Sequence, residues 1–155
     1  MSESVRLADQ VRRAFDGGAW HGDSLLELLA GVDAETAAAH PIKNAHSIWE
    51  LVLHIAAWDG AVIRRAQGRA AKLTAQQNFP LVKDTSEAAW QNALAHLRAT
   101  HAELVSAVEH FPESRLLEPV PGKKAKHYNF FYMFSGVVQH ELYHAGQIAL
   151  LKKLR

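Results

Sequence analysis

Four stretches of this chain repeat their apolar residues at helical spacing, and none alternates with period two for long enough to build a sheet. Leu7, Val11 and Ala14/Phe15 form the first stripe, which Gly17-Gly18 interrupts. The capping box Ser24-Leu-Leu-Glu27 then opens LLELLA, so segments 4–16 and 23–30 are one interrupted helix or two pieces. A second box, Ser47-Ile-Trp-Glu50, starts the stripe Ile48, Leu51/Val52, Ile55, Trp58, Val62/Ile63 and Ala66. From a start at Asp84-Thr-Ser-Glu87, the third stripe runs Trp90, Leu94, Leu97, His101, Leu104, Val108, Phe111. The fourth segment begins near Tyr128, and Lys152, Lys153 and Arg155 suit the negative end of its dipole. Four such segments predict an all-α four-helix bundle in a single domain, residues 1–155.

Composition narrows the chemistry. With 48% hydrophobic and 21% charged residues, the chain is an ordinary globular sequence. A net charge of +1 supplies no field to recruit nucleic acid or anionic lipid, so neither is expected as a partner. The N-terminal residues carry no apolar signal segment and no run approaches a membrane span, which predicts a cytoplasmic protein. Cysteine is absent, excluding disulfides, thiolate metal sites and a cysteine nucleophile. Histidine is abundant instead, with ten residues.

Two of those histidines have metal-ligand spacing. In His140-Glu-Leu-Tyr-His144 the i, i+4 separation stacks both imidazoles on one helix face. Phe130, Met133, Val137, Ile148 and Leu151 share that face, so both rings turn inward, where a shared ion offsets their desolvation. The competing reading is a pair of hydrogen-bonded core histidines. His54, beside the stripe of the second helix, is the candidate third ligand. If the long connection at 69–84 crosses over, the second and third helices run parallel and the last descends beside them. His144 and His140 then lie roughly 3 and 9 Å from the level of His54, against about 14 and 8 Å respectively with every neighbour antiparallel. A connection of that length suits a crossover better than a hairpin.

Other families share parts of this pattern. HELYH matches the H-E-x-x-H zincin motif with Glu141 as general base, but the eleven residues after His144 hold no His, Asp or Glu. Glu141-x-x-His144 is half of a di-iron motif, and Glu50 and His54 are four apart rather than three.

SIWELVLHIAAW (47–58) and GVVQHELYHAGQIALLKK (136–153) resemble the two signature segments of the DinB-like (DinB/YfiT) superfamily. AWHGDSLLELL (19–29) and the Phe-Pro at 79–80 are similar to one branch of it. The resemblance implies an up-down-down-up bundle, with a long crossover between its second and third helices. It also implies one divalent ion held by His54, His140 and His144, and a tendency to homodimerise; imidazole ligands suit Zn, Ni, Fe or Cu, of which Zn, Ni or Fe is expected. Characterised members use low-molecular-weight thiols such as mycothiol or bacillithiol, so a thiol co-substrate and S-transferase chemistry on a small molecule are the expected activity. A metal-hydroxide hydrolase and a non-catalytic metal-binding or interaction module are the alternatives.

Several neighbours are candidates for the surroundings. If the first helix continues through Gly22, Trp20 and His21 stand level with the metal, Trp20 lining the pocket and His21 donating a proton. Trp58, one turn after His54, is a second lining candidate. Gln147 and Glu141 are candidates for supporting the ligands from behind, and His101 is read as a hydrogen-bonded core residue. Gly136 and Gly146 weaken the last helix, for which close helix approach is one explanation. Lys123, Lys124 and Lys126 form a basic loop that suits a carboxylate-bearing substrate or is simply solvated.

Overall fold

Ser47 opens the second long helix as its sequence requires: its hydroxyl accepts from the Glu50 amide at 3.1 Å, and Glu50 accepts from the Ser47 amide at 2.8 Å. The computed structural model describes residues 1–154, and Arg155, expected to suit the last helix dipole, lies outside them. Among these residues there are seven α-helices and no strand. They are α1 (Glu3–Asp16), α2 (Leu25–Leu29), α3 (Ala34–Ala38), α4 (Ile48–Ala66), α5 (Ala75–Asn78), α6 (Glu87–Glu109) and α7 (Phe130–Lys153). No helix among them is long and apolar enough to cross a membrane.

The long helices α1, α4, α6 and α7 form a bundle in which α6 and α7 each pack against both α4 and α1. Their directions follow from which ends meet. Trp49 and Trp90, both at helix starts, lie 5.1 Å apart, while Val62 and Ile63 share a cluster with Leu104 and Val108. Helices α4 and α6 therefore run parallel. Ala145, Ile148 and Leu151 of α7 join the first half of α4, and Phe130 to Val137 join its end, so α7 is antiparallel to α4. Ser4 at the start of α1 donates to the Phe111 carbonyl just past α6, at 2.7 Å, so α1 opposes α6. The chain between α4 and α6 travels the length of the bundle.

Differences from the sequence expectations have local causes. Helix α1 does not run through Gly22: Gly17 and Gly18 have φ of 137° and 76°, which a continuing helix of L-residues does not permit. Two short helices occupy stretches read as loops. Asp33 caps α3 through the Thr36 amide, and Thr74 caps α5 with a reciprocal bond to Gln77. Ser86, two residues beyond Asp84, is the cap of α6. Lys152 and Lys153 stand in the last turn of α7 as expected, and Lys152 additionally donates to the Leu28 carbonyl of α2 at 2.6 Å. At neither Gly136 nor Gly146 would a Cβ meet any atom within 4 Å, so close helix approach does not explain either.

Candidate metal centre

His54 from α4 and His140 and His144 from α7 bring their Nε2 atoms together. His140 Nε2 lies 3.0 Å from that of His54 and 3.1 Å from that of His144. His54 and His144 are buried, and His140 is half-buried. The outer nitrogens fix the tautomers. His54 Nδ1 sits 2.7 Å from the Asn78 carbonyl, an acceptor only, so the proton is on Nδ1. His144 Nδ1 is likewise 2.7 Å from Gln147 Oε1. Two Nε2 lone pairs therefore face His140, which has at most one proton to offer them when neutral, and its buried Nδ1 has no partner.

Protonation does not relieve the convergence. Burial lowers the pKa of His54 and of His144, and burial with His144 and His54 alongside pushes His140 down to about 3. The three rings stay neutral at ordinary pH, and His54 and His144 present Nε2 lone pairs at the point where His140 Nε2 also lies. Bonds of about 2.0–2.1 Å to one ion place adjacent donors roughly 2.9–3.4 Å apart, so this donor set fits a divalent cation. Imidazole ligation suits Zn, Ni or Fe.

The crossover supplies support that the sequence did not reveal. Helix α5 ends at Asn78, whose carbonyl holds His54 and whose Oδ1 accepts from Trp58 Nε1 at 2.8 Å. Phe79 follows, stacked between His54 at 4.1 Å and His46 at 3.7 Å. The discoverable signal was Thr74-x-x-Gln77, a capping box in a stretch without apolar periodicity.

A cleft of about 230 Å³ opens beside His140, with Trp58, Arg65, Tyr128, Tyr132 and Gly136 in its wall. Arg65 is 2% exposed. Its Nη2 and Nε donate to the Ala71 carbonyl at 2.7 and 3.0 Å, and its guanidinium lies 5.5 Å from the Trp58 ring centre. No carboxylate among the described residues forms an ion pair with it. Lys123 approaches the Tyr128 ring to 4.8 Å, and burial together with Arg65 and Lys72 lowers its pKa. The wall thus combines the Arg65 cation with aromatic rings, and Lys123 adds positive charge behind Tyr128.

The remaining sequence candidates fall elsewhere. With α1 ended at Asp16, Trp20 is fully exposed, and it lines with His21 a separate groove beside Arg13 and Leu142. That corrects the placement of both beside the metal. Glu141 turns away from His54 and His144: its Oε1 lies 2.9 Å from His101 Nδ1, and Asp59 Oδ2 lies 3.5 Å from the same atom. Burial raises the pKa of Asp59, and pushes Glu141 up to about 7 with Asp59 adding to the effect. Burial opposes charge on His101, but Asp59 and Glu141 outweigh it and lift His101 to about 9.

A helical bundle that gathers three neutral imidazoles at the wall of an open cleft defines a class of protein with a candidate three-histidine metal site. The chain belongs to the DinB superfamily, whose family model matches residues 19–148. No curated protein and no solved structure matches it.

Proposed function

We propose that this protein is a metal-dependent enzyme that activates an external low-molecular-weight thiol and transfers it to a small electrophile. The convergence of three histidine Nε2 atoms beside an open cleft carries this reading. A divalent ion held there by neutral ligands keeps its full charge and lowers the pKa of a thiol close to it. With no cysteine in the chain, the sulfur must come from a co-substrate.

Protein groups support the remaining tasks. His54 and His144 are locked as Nε2 donors by Asn78 and Gln147. Trp58, Tyr128 and Tyr132 line the cleft, and the buried Arg65 guanidinium, held by Ala71 and paired with no carboxylate, makes the wall electrostatically favourable to a carboxylate-bearing substrate or thiol. A hydrolase would gain from a general base beside the histidines, but Glu141, the carboxylate that the H-E-x-x-H reading required, faces His101.

The test is conjugation of a panel of thiols to a chromogenic electrophile, with metal-loaded and chelated protein compared. A metal-dependent rate with at least one thiol, lost in His54→Ala and His144→Ala, is expected. Ester or amide cleavage with no thiol dependence would make it a hydrolase instead. Metal binding without either activity would make it a binding module.

A further inference from the structure

We propose that Asp59, His101 and Glu141 form a second divalent-cation site, in the core of the bundle and separate from the three histidines. These side chains come from α4, α6 and α7, and each offers a ligand atom within 4.8 Å of the other two. Exposure is 0% for Asp59 and Glu141 and 4% for His101.

The side chains do not satisfy one another. Both oxygens of Asp59, both of Glu141 and both ring nitrogens of His101 are buried without a hydrogen bond. The contacts of 2.9 and 3.5 Å from His101 Nδ1 have ion-pair distance but not hydrogen-bond alignment. The Glu141 contact has the spacing of donors around a common ion, and the Asp59 contact is slightly wider. Bonds of about 2.0–2.1 Å set neighbouring donors roughly 2.9–3.4 Å apart, with each lone pair aimed at the ion rather than at the next ligand.

Charge leads to the same conclusion. Two carboxylates and one neutral imidazole carry two negative charges, which a divalent ion cancels. Without one, the positive charge that Asp59 and Glu141 hold on His101 offsets only one of the two carboxylates, and its two N–H groups cannot serve four buried carboxylate oxygens, at substantial free-energy cost. The mixed nitrogen and oxygen set suits Zn, Mn or Fe(II). Ca²⁺ takes six to eight oxygen ligands and Mg²⁺ retains several waters, so a dry three-ligand cluster suits neither.

Position explains what such an ion does. Asp59 lies between Ala56 and Val62, His101 between Leu97 and Leu104, and Glu141 between Val137 and Ala145. In each pair the two residues belong to different apolar clusters. The triad fills the polar layer between those clusters, with Phe15 of α1 stacked on His101 at 3.7 Å. An ion there cross-links three helices where apolar packing is interrupted.

The experiment counts ions. Protein stripped with a chelator is titrated with Zn²⁺ or Mn²⁺, and bound metal and Tm are read for the unaltered chain and for two variants. The unaltered chain is expected to bind two equivalents. Asp59→Asn is expected to bind one, and His54→Ala/His140→Ala/His144→Ala is expected to bind one that still raises Tm. Asp59→Asn is nearly isosteric and removes a buried charge, so the chelated variant should be at least as stable as the parent. If the parent and Asp59→Asn bind the same number of ions with equal Tm increments, the triad is a proton-sharing cluster only and the proposal is overturned. Failure of the three-histidine site instead leaves those two proteins differing by one ion, so the two failures are distinguishable.

Discussion

The Nδ1–H of His54 donates at 2.7 Å to the backbone carbonyl of Asn78, and this bond decides which nitrogen of His54 faces the other two histidines. Without it, either tautomer is open to the ring, and the lone pair of Nε2 is available only part of the time. Gln147 does the same for His144 within one turn of α7. One candidate ligand is thus oriented from its own helix and the other from a short helix in the crossover.

Gln147→Leu removes the acceptor for His144 Nδ1 without touching a ligand atom. Metal affinity is expected to fall about 10–100-fold, as for other losses of a partner behind a ligating histidine. Competition against a chromophoric chelator reads the change. Unaltered affinity would show that Gln147 does not orient the ring.

Thr74→Ala removes the cap of α5, a loss of about 1 kcal/mol for that element. Because α5 carries Asn78 to His54, metal affinity should fall while global Tm in chelator changes little. Thr74→Ser, which keeps the hydroxyl, is expected to restore most of the affinity.

In metal-free protein the histidine cluster makes stability depend on acid. Burial and the neighbouring rings of His144 and His54 hold His140 at about 3 when folded, against an ordinary value of 6.5. The folded state therefore binds fewer protons than the unfolded one. This contribution is complete above pH 6.5 and is lost as pH falls from there towards about 3. Glu141, pushed up to about 7, acts in the opposite sense: its contribution is lost as pH rises from about 4.5 to 7. The difference between the parent and His140→Gln isolates the histidine. Urea midpoints in chelator should fall more for the parent than for the variant between pH 7 and pH 5.

Gly136 lines the cleft and Gly146 is exposed, and neither faces an atom that a methyl group would meet. Alanine at either position should stabilise α7 by about 1 kcal/mol. Only Gly136→Ala narrows the cleft, so it should raise KM for the small-molecule substrate while Gly146→Ala leaves it unchanged. Equal kinetics in the two variants would place the substrate elsewhere.

Trp90→Phe tests the packing of the parallel pair. The Trp90 indole is fully buried and donates to the Val32 carbonyl at 2.7 Å. Phenylalanine leaves that carbonyl short of a donor, and a loss of about 1–3 kcal/mol in urea unfolding is expected, with metal content unchanged.

The long helices were legible because each buries one apolar stripe, which period alone reveals. The His140–His144 pair was legible for the same reason, since four residues on one helix return to the same face. Helices α3 and α5 were not, because at five and four residues neither shows a repeat. Their capping signals at Asp33 and Thr74 were the only local marks. Trp20 and His21 were misplaced because the argument from helical rise needed an unbroken α1.

Sequence by itself determined the helical class, the four long helices, the paired histidines of α7 and, through the matching signature segments, His54 as their partner. The first three follow from local periodicity and spacing, which depend on one helix at a time, whereas His54 follows from the family resemblance. Tertiary structure decided which nitrogens converge, that Asn78 and Gln147 hold them, and that Arg65 lies unneutralised in the cleft wall. It also turned Glu141 from the histidines towards Asp59 and His101. A residue next to a ligand in a helix points about 100° away, so its partners belong to whichever helix the bundle packs there.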